Sequence, residues 1–352
     1  VLTAVVLPVA HRFFSSQCFS RVVPDTPLHG LSACPELPAA AFSREVFTRD
    51  HQIPGVPLVV RGYATAWPAM AKWQDISFFG GEACHDFQIK AWGISLREYT
   101  SALSELERSH SAKQFSAMTE LGEHYFKHNE ELFYECPALF NDTLGFPLAR
   151  SHASKPGTFA ADVARWLVGL FAIERILPHD FVHGDWIQAV TWIGPPGSKT
   201  LLHYDDDPLS LLIQFRGAKH VRMWSSDQSA SLYPHASCQN LNEYGTRFSR
   251  FSGNPLNMTM AEKNTFPLLS GAKYLDVIIR PGDMLFIPSG WWHFVSVWSG
   301  EGADGAGTSL SVAARSYSTC EGMSYLPSFI ANWVHAAGLW DMTGFCVKPE
   351  GV

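Results

Sequence analysis

Closely spaced cysteines are missing from this sequence. Its 352 residues contain seven cysteines, an odd number, and no two of them form a C-x-x-C pair. Disulfide frameworks usually use an even number of cysteines, and structural zinc knuckles need closely spaced ligand pairs. We therefore expect neither feature, and we expect the chain to work in a reducing intracellular compartment, the cytoplasm or the nucleus.

Long apolar runs and an excess of positive charge are also missing. No apolar run approaches the roughly 18 to 20 residues that span a bilayer, so no membrane segment is expected. Lysine and arginine total 26 against 33 acidic residues, which gives a formal net charge of −7. Phosphate backbones are bound by concentrated positive charge, so RNA is a less expected partner than a protein, a peptide or a small molecule.

Acidic residues are missing before Asp25, in a stretch that contains Arg12, Arg21 and several serines. This composition resembles the end of an organelle transit peptide, which keeps the mitochondrion or a plastid open as locations. A variable N-terminal extension explains it equally well. Because the chain begins with Val1 rather than methionine, its true start can lie upstream.

The sequence as a whole has the composition of a globular protein, with 46% hydrophobic residues. We divide it into an N-terminal extension (residues 1–40), a main domain (41–320) and a C-terminal tail (321–352). Apolar residues recur at helical spacing in residues 95–109, with Ser95 as the candidate N-cap, and in residues 158–174. Residues 325–340 also predict a helix, whose apolar face is a candidate homodimer contact.

Beyond Trp186 the pattern changes to short strands. Turns that contain glycine and proline separate them, for example at residues 281–283 and 288–290. The strand segments are residues 186–194, 209–217, 219–224, 274–298 (three strands) and 308–317. Such strands are typical of double-sheet folds. We therefore predict an α+β, mainly β fold: a double-stranded β-helix, or jelly roll, with a helical N-terminal half and a C-terminal helix.

One triplet, His203-Tyr204-Asp205, has the spacing of a metal-binding pair. Alternate side chains of a strand point to the same side, so His203 and Asp205 can offer an imidazole and a carboxylate to one ion. His293, 88 positions beyond Asp205 (293 − 205), is the candidate third ligand, because neighbouring jelly-roll strands bring distant residues together. Two histidines and one carboxylate form the facial triad of non-haem Fe(II) oxygenases, which leaves coordination positions open.

A second triplet of the same type, His183-Gly184-Asp185, is a competing candidate. It precedes the strand-rich region and is better interpreted as a loop. The later triplet follows a strand and a turn, and it precedes a strand, a glycine turn and Lys219. This order favours the later triplet as the source of metal ligands.

Three linked segments resemble the cupin-like JmjC oxygenases, which use Fe(II) and 2-oxoglutarate. These segments are WIGPPGSKTLLHYD, FRGAKHVRMW and RPGDMLFIPSGWWH, in this order. The upstream segment VPLVVRGYATAWPAMAKW is similar to the N-terminal signature of the same family. The resemblance extends in patches from residue 54 to residue 317. The family includes the asparaginyl hydroxylase of hypoxia signalling and the tRNA wybutosine hydroxylase.

The resemblance implies a role for each matching residue. His203, Asp205 and His293 match the iron ligands. Lys219 matches the lysine that pairs with the distal carboxylate of 2-oxoglutarate, and Thr200 matches a hydroxyl donor to the same carboxylate. An ammonium that faces a carboxylate forms a charge-assisted hydrogen bond and selects a diacid.

The sequence departs from the family pattern near the cosubstrate. The family has an asparagine on the strand after the last histidine ligand, where this sequence has Ala313. Arg315 stands near a usual aromatic position; it is a candidate second cationic contact to cosubstrate or substrate, or an outward-facing charge. An additional residue also lies between His203 and Lys219. We therefore expect a cosubstrate pocket that differs in detail from those of the relatives.

The resemblance implies an Fe(II)- and 2-oxoglutarate-dependent dioxygenase that uses O2 to hydroxylate a C–H group and releases succinate and CO2. The expected substrate is a protein or peptide side chain or a similar small molecule. Two alternatives stay open: an N-methyl-lysine demethylase, which releases formaldehyde, and a catalytically inactive JmjC-like binding module. A cupin that acts without 2-oxoglutarate fits less well, because such cupins generally use H-x-H and a downstream glutamate.

Overall fold

The structure consists mainly of two β-sheets that face each other. It is a computed structural model, and it describes residues 31–81, 84, 87–89, 94–109, 126–128, 136, 187–205, 209–234, 246–298 and 307–316. One main sheet has seven strands and the other has five, and a third, small sheet has two.

Short strands and helices make up the N-terminal part. They are the strands β1 (Glu36–Pro38), β2 (Leu58–Arg61), β3 (Gln88–Ile89), β4 (Ile94–Ser95) and β5 (Phe126–His128), and the helices α1 (Arg44–Phe47), α2 (Pro68–Lys72) and α3 (Leu96–Ser109). Helix α3 confirms the helix predicted for residues 95–109. The Ser95 hydroxyl accepts a hydrogen bond from the Glu98 amide (3.1 Å), and the Glu98 carboxylate accepts one from the Ser95 amide (2.7 Å). This reciprocal capping explains why the helix begins there.

The C-terminal part supplies most of the strands. They are β6 (Ile187–Gly194), β7 (His203–Asp205), β8 (Leu209–Arg216), β9 (Lys219–Trp224), β10 (Thr246–Phe248), β11 (Leu275–Ile279), β12 (Met284–Ile287), β13 (Trp292–Val297) and β14 (Ser309–Ser316), with the helices α4 (Met260–Thr265) and α5 (Pro267–Gly271). All the predicted strand segments are confirmed. The helices predicted at 158–174 and 325–340 lie outside the described residues. Within the described ranges, no helix combines the length and apolar character needed to cross a bilayer.

The strand order is that of a jelly roll. The seven-stranded sheet has the order β1-β2-β12-β8-β14-β6-β5, and the five-stranded sheet has the order β10-β7-β13-β9-β11. Strands that follow one another in the chain often lie in different sheets, as β7 and β8 do, so the chain crosses repeatedly between the two layers. This arrangement confirms the predicted mainly β fold. Strand β1, which falls in the predicted N-terminal extension, pairs with β2 in the larger sheet.

Alternate side chains of the seven-stranded sheet pack on opposite faces. In β12, Met284 and Phe286 pack toward the N-terminal helices, whereas Leu285 and Ile287 pack between the two sheets. Side chains of the five-stranded sheet fill the same space from the other side. The outer face of the five-stranded sheet packs against Leu269 of α5 and its neighbours. The space between the two sheets is therefore mainly apolar, and a polar side chain buried there costs free energy unless it is hydrogen-bonded.

One disulfide bond was not expected from the sequence. Cys84 and Cys136 are bonded, with 5.5 Å between their Cα atoms, and both are buried beside the seven-stranded sheet. The sequence predicts no disulfide framework, which does not exclude a single bond. This pair was not anticipated, because the spacing of cysteines in the chain does not show which two meet in space. Cys34 is free and buried, and its burial raises the pKa of its thiol to about 12.

Removal of this disulfide is expected to destabilise the protein. The bond closes a loop with a sequence separation of 52, so replacing Cys84 and Cys136 with alanine should lower the free energy of unfolding by about 2–4 kcal/mol, because the unfolded chain gains freedom. Urea denaturation with and without a thiol reductant measures the effect. The Cys34→Ala variant is the control, since its midpoint should respond to reductant as the wild type does. A wild-type midpoint that ignores the reductant would contradict the prediction.

Candidate metal centre

The antiparallel pairing of β7 with β13 brings the three predicted ligands together. His293 lies directly opposite His203 in this pair, and Asp205 follows two residues later in β7 on the same buried side. The Nε2 atoms of His203 and His293 each lie 3.9 Å from an oxygen of the Asp205 carboxylate. The two imidazole centroids are 4.3 Å apart. Residues 88 positions apart in the chain thus form one cluster.

Backbone carbonyls fix the orientation of both imidazoles. Nδ1 of His203 lies 2.6 Å from the carbonyl oxygen of Leu201, and Nδ1 of His293 lies 3.0 Å from that of Trp291. A carbonyl can only accept, so each Nδ1 carries the proton and donates it. Each Nε2 then presents a lone pair toward Asp205, which is the form that binds a metal.

Aromatic side chains surround the cluster. The ring of Phe248, on the neighbouring strand β10, stacks on His203 with centroids 5.4 Å apart. Tyr204, between the two β7 ligands, turns to the other side of the sheet and contacts the ring of Trp292 at 4.8 Å. The inner face of β7 therefore carries two of the candidate metal ligands, and its outer face is apolar.

The donor set fits a divalent cation with positions left open. The ligand atoms of His203, Asp205 and His293 all lie within 4.8 Å of one another. Three protein donors, two of them neutral nitrogens and one a carboxylate, match the set that non-haem Fe(II) sites use. A structural metal would need a fourth protein ligand, and among the residues that the structure describes none joins these three. The arrangement therefore suits a catalytic metal, with Fe(II) as the ion that this donor set indicates.

A cavity of about 430 Å³, which includes the open space at its mouth, adjoins the cluster. Its wall contains the three ligands and three further polar residues: Thr200, Ser210 and Lys219. Apolar side chains such as Leu212, Ile287 and Val295 line the remainder. A mainly apolar cavity with a few convergent polar groups is typical of a site for a small ligand.

Lys219 is the buried cation of this cavity. It begins β9 and its side chain is almost inaccessible, with 1% exposed. Burial lowers the pKa of its ammonium to about 7, because the charged form loses hydration. Met223 of β9 lies opposite His293, four residues beyond Lys219. The backbone of Lys219 therefore lies roughly 13 Å along the sheet from the cluster (four residues at ~3.3 Å). The lysine side chain and an elongated diacid can together span this distance.

Of the other two predicted cosubstrate contacts, the structure describes the side chain of Thr200 but not that of Arg315. Thr200 lines the cavity, and its hydroxyl accepts a hydrogen bond from the Val295 amide at 3.2 Å, which leaves its own hydrogen to donate. Arg315 lies in β14 opposite Ser210, but its side chain is outside the described residues. Ala313 lines the cavity two residues earlier. The competing triplet at residues 183–185 is also outside the described ranges.

Two residues that line the cavity, and one that contacts Lys219, were missed by the sequence reasoning. Ser210 and Trp192 line the wall, and the Trp192 ring centroid lies 5.9 Å from Nζ of Lys219. Ser311 accepts a hydrogen bond from the same ammonium. Strand alternation counted back from Ala313 would have put Ser311 on the inner face. No local pattern in the sequence distinguishes Ser210 or Trp192.

Comparisons with known proteins agree with this geometry. Residues 43–314 match the model of a family described as a cupin-like domain. The chain is 23% identical over 266 residues to a protein named lysine-specific demethylase JMJ30 from Arabidopsis thaliana, across 73% of this chain and 50% of that protein. It is 25% identical over 252 residues to Jumonji C domain-containing protein 5 from Drosophila melanogaster, across 68% of this chain and 51% of that protein.

A third relative matches over a shorter segment. The chain is 32% identical over 111 residues to lysine-specific demethylase 8 from Xenopus tropicalis, across 32% of this chain and 23% of that protein. The first two relatives are about twice as long as the segment that they share with this chain. What those proteins do outside the shared segment therefore does not transfer to this one.

Proposed function

Because the chain belongs to the cupin-like (JmjC) domain family, we propose that it is an Fe(II)- and 2-oxoglutarate-dependent oxygenase that hydroxylates a C–H group of a protein or peptide side chain or a similar small molecule. One observation carries the proposal: His203, Asp205 and His293 share a cavity with the buried ammonium of Lys219. A metal with open positions beside a fixed cation is what a 2-oxo diacid requires.

The metal ligands of the chain would hold the iron on one face. When bound, Fe(II) with O2 supplies the oxidation: 2-oxoglutarate becomes succinate and CO2, and one oxygen atom enters succinate while the other enters the substrate C–H bond. His203 and His293 would present neutral Nε2 atoms, because their Nδ1 atoms already donate to backbone carbonyls. Asp205 would supply the negative charge.

The remaining cavity residues would select and orient the cosubstrate. Lys219 would receive the distal carboxylate, with the Thr200 hydroxyl as a second donor. Leu212, Ile287 and Val295 exclude water from the wall between the sheets, which strengthens each electrostatic contact there. The protein would thus contribute open coordination positions on the metal, a fixed orientation of the cosubstrate and a cavity from which water is excluded.

Demethylation of N-methyl-lysine is the second candidate function. It is favoured by the names of two relatives, both of which are lysine-specific demethylases. Hydroxylation of an N-methyl group is followed by loss of formaldehyde, so one site serves either outcome. The difference lies in which substrate group the cavity mouth admits.

Turnover of peptide libraries in the presence of Fe(II), 2-oxoglutarate and O2 tests the proposal. We expect succinate, together with a peptide that gains the mass of one oxygen atom and releases no formaldehyde. Formaldehyde from methylated peptides, with loss of the methyl group, would favour the demethylase. A protein that neither binds 2-oxoglutarate nor forms succinate would overturn both and support the inactive binding module.

We propose a reducing intracellular compartment, where iron stays ferrous, with the mitochondrion or a plastid as the alternative that residues 1–24 suggest. The redox state of Cys84 and Cys136 in protein isolated with thiol-blocking reagents tests this: free thiols support a reducing compartment, whereas the disulfide bond of the structure, if it is present in the isolated protein, favours an oxidising one. A homodimer through residues 325–340 is tested by sizing the chain with and without its residues from Tyr325 onward.

A further inference from the structure

The ammonium of Lys219 meets the hydroxyl of Ser311 between the two sheets. Lys219 belongs to β9 of the five-stranded sheet, and Ser311 belongs to β14 of the seven-stranded sheet. The Nζ atom donates a hydrogen bond to Ser311 Oγ. Both residues are closed to solvent, with 1% and 0% exposed. This contact joins the two layers of the fold at the wall of the candidate cosubstrate cavity.

Strands on both sides hold Ser311 in place. Strand β14 pairs with β6 and with β8, and Ser311 lies opposite Trp192 and Gln214. Its neighbours Leu310 and Val312 pack toward the N-terminal helices, so Ser311 faces the inner layer. A residue in a strand that is paired along both edges has little freedom. The position of its hydroxyl is therefore set by the sheet rather than by the lysine.

A bulge in β8 preserves this register. The pairing of β8 with β14 shifts beside Ser311, and Phe215 is the extra residue. Arg216 turns to Glu107 of α3, with 2.6 Å between their charged atoms, while Gln214 stays opposite Ser311. Bulges commonly occur beside functional sites, where they re-aim side chains. Because of the bulge, Arg216 of β8 contacts helix α3 while Gln214 of the same strand keeps its place opposite Ser311.

From these contacts we propose that Ser311 is a positioning residue that fixes the Lys219 ammonium for a carboxylate. A lysine side chain has a flexible four-carbon stem, and a fixed acceptor restricts the positions of its ammonium. The centroid of the Trp192 ring, 5.9 Å from Nζ, is a second neighbour of the ammonium. A preorganised ammonium loses less freedom when the ligand arrives. Ser311 thus sets the affinity for the distal carboxylate and leaves the metal-binding end of the ligand unaffected.

This inference rests on the proposed function, and a binding experiment separates the two. Purified protein loaded with Mn(II), which binds without turnover, is titrated with 2-oxoglutarate and with pyruvate, a 2-oxo acid that lacks the distal carboxylate. We expect Ser311→Ala to weaken 2-oxoglutarate binding about tenfold. Pyruvate and Mn(II) binding should not change. Ser311→Thr keeps a hydroxyl and should restore most of the affinity.

Ser309→Ala is the matched control, because it removes a buried hydroxyl from the same strand. Ser309 accepts a hydrogen bond from Gln214 at 3.0 Å and is 0% exposed. Its loss should cost similar stability without changing 2-oxoglutarate affinity. Turnover of Ser311→Ala should show a raised KM for 2-oxoglutarate at nearly unchanged kcat.

Two results would overturn the inference alone: wild-type affinity in Ser311→Ala, or an equal loss in Ser309→Ala. Equal weakening of pyruvate in Ser311→Ala would also reject it, since the effect would then not concern the distal carboxylate. A wild-type protein that binds Mn(II) but neither acid would reject the proposed function itself, and the positioning role with it.

Discussion

Replacing Asp205 with alanine is expected to reduce succinate formation about a thousandfold. Asp205 supplies the carboxylate of the cluster, and its two oxygens face the Nε2 atoms of His203 and His293 at 3.9 Å. A catalytic metal contributes several kcal/mol, and loss of about 4 kcal/mol corresponds to about a thousandfold in rate. Titration with Fe(II) under anaerobic conditions should show weakened metal binding in the same variant. Succinate formation and Fe(II) affinity should therefore decrease together in this variant.

Tyr204→Phe is the control for this prediction. Tyr204 lies between two ligands in β7, but its ring packs on Trp292 on the opposite side of the sheet. The variant keeps the ring and should keep metal affinity and activity. If Asp205→Ala bound Fe(II) as the wild type does, the metal would lie elsewhere, and the triplet at residues 183–185 would be tested next.

Replacing Lys219 with alanine is expected to raise the KM for 2-oxoglutarate by a factor of about 10² to 5 × 10³. The distal carboxylate would enter a cavity that is lined largely by apolar side chains and would find no ammonium there. Removing one partner of a buried charge pair costs about 3–5 kcal/mol, which corresponds to this range of affinity. Steady-state kinetics with varied 2-oxoglutarate measure the change, and metal binding should be retained.

Lys199→Ala provides the control for charge. Lys199 lies close in the chain to the cavity residue Thr200, but it does not line the cavity, and its charge acts on Glu262 instead. The KM for 2-oxoglutarate should stay near the wild-type value. A similar rise in both variants would mean that the overall positive charge, rather than the position of Lys219, attracts the diacid.

The pH dependence of binding follows from the burial of Lys219. Burial lowers the pKa of this lysine to about 7. In the ligand-free protein, most Lys219 side chains are therefore neutral above that pH. A bound carboxylate favours the ammonium, so binding takes up a proton and the affinity falls as the pH rises above 7. Calorimetry at pH 8 in buffers of different ionisation enthalpy should detect this uptake in the wild type and not in Lys219→Ala. Absence of uptake in the wild type would contradict it.

The same lowered pKa sets the sign of a stability effect. Between pH 7 and the ordinary value of 10.5, the unfolded chain binds more protons at Lys219 than the folded protein does. The contribution of this lysine to stability therefore increases with pH across that window in the ligand-free protein. Urea denaturation across the window should show this slope, and Lys219→Ala should reduce it.

The cluster of His203, Asp205 and His293 could be predicted from the sequence because its pattern is local and specific. His203 and Asp205 are two residues apart on one strand, and a turn with a recognisable motif precedes His293. What the structure adds is the register that puts His293 opposite His203. The strand segments were equally accessible, since glycine and proline turns separate them. Their assignment to two sheets follows from the jelly-roll pattern rather than from any one strand.

Other residues in and beside the cavity could not be predicted in the same way. Trp192, Ser210 and Ser311 come from the strands β6, β8 and β14, and their meeting depends on pairing between distant segments. Alternation shows which residues of a strand share a face. It does not show which face points between the sheets, or which residue of the neighbouring strand lies opposite. The bulge at Phe215 changes this pairing within one strand. The disulfide between Cys84 and Cys136 depends on tertiary contact for the same reason.

The pairing of β7 also affects how the protein is made. Both neighbours of β7 in its sheet, β10 and β13, come later in the chain. At about 5–20 residues per second, a ribosome needs roughly 5–20 s to add the 88 residues between Asp205 and His293. During that interval the nascent chain carries two of the three candidate ligands, on a strand that has no partner yet. We therefore expect iron to be acquired after synthesis and release of the chain, by a protein whose sheets have already closed.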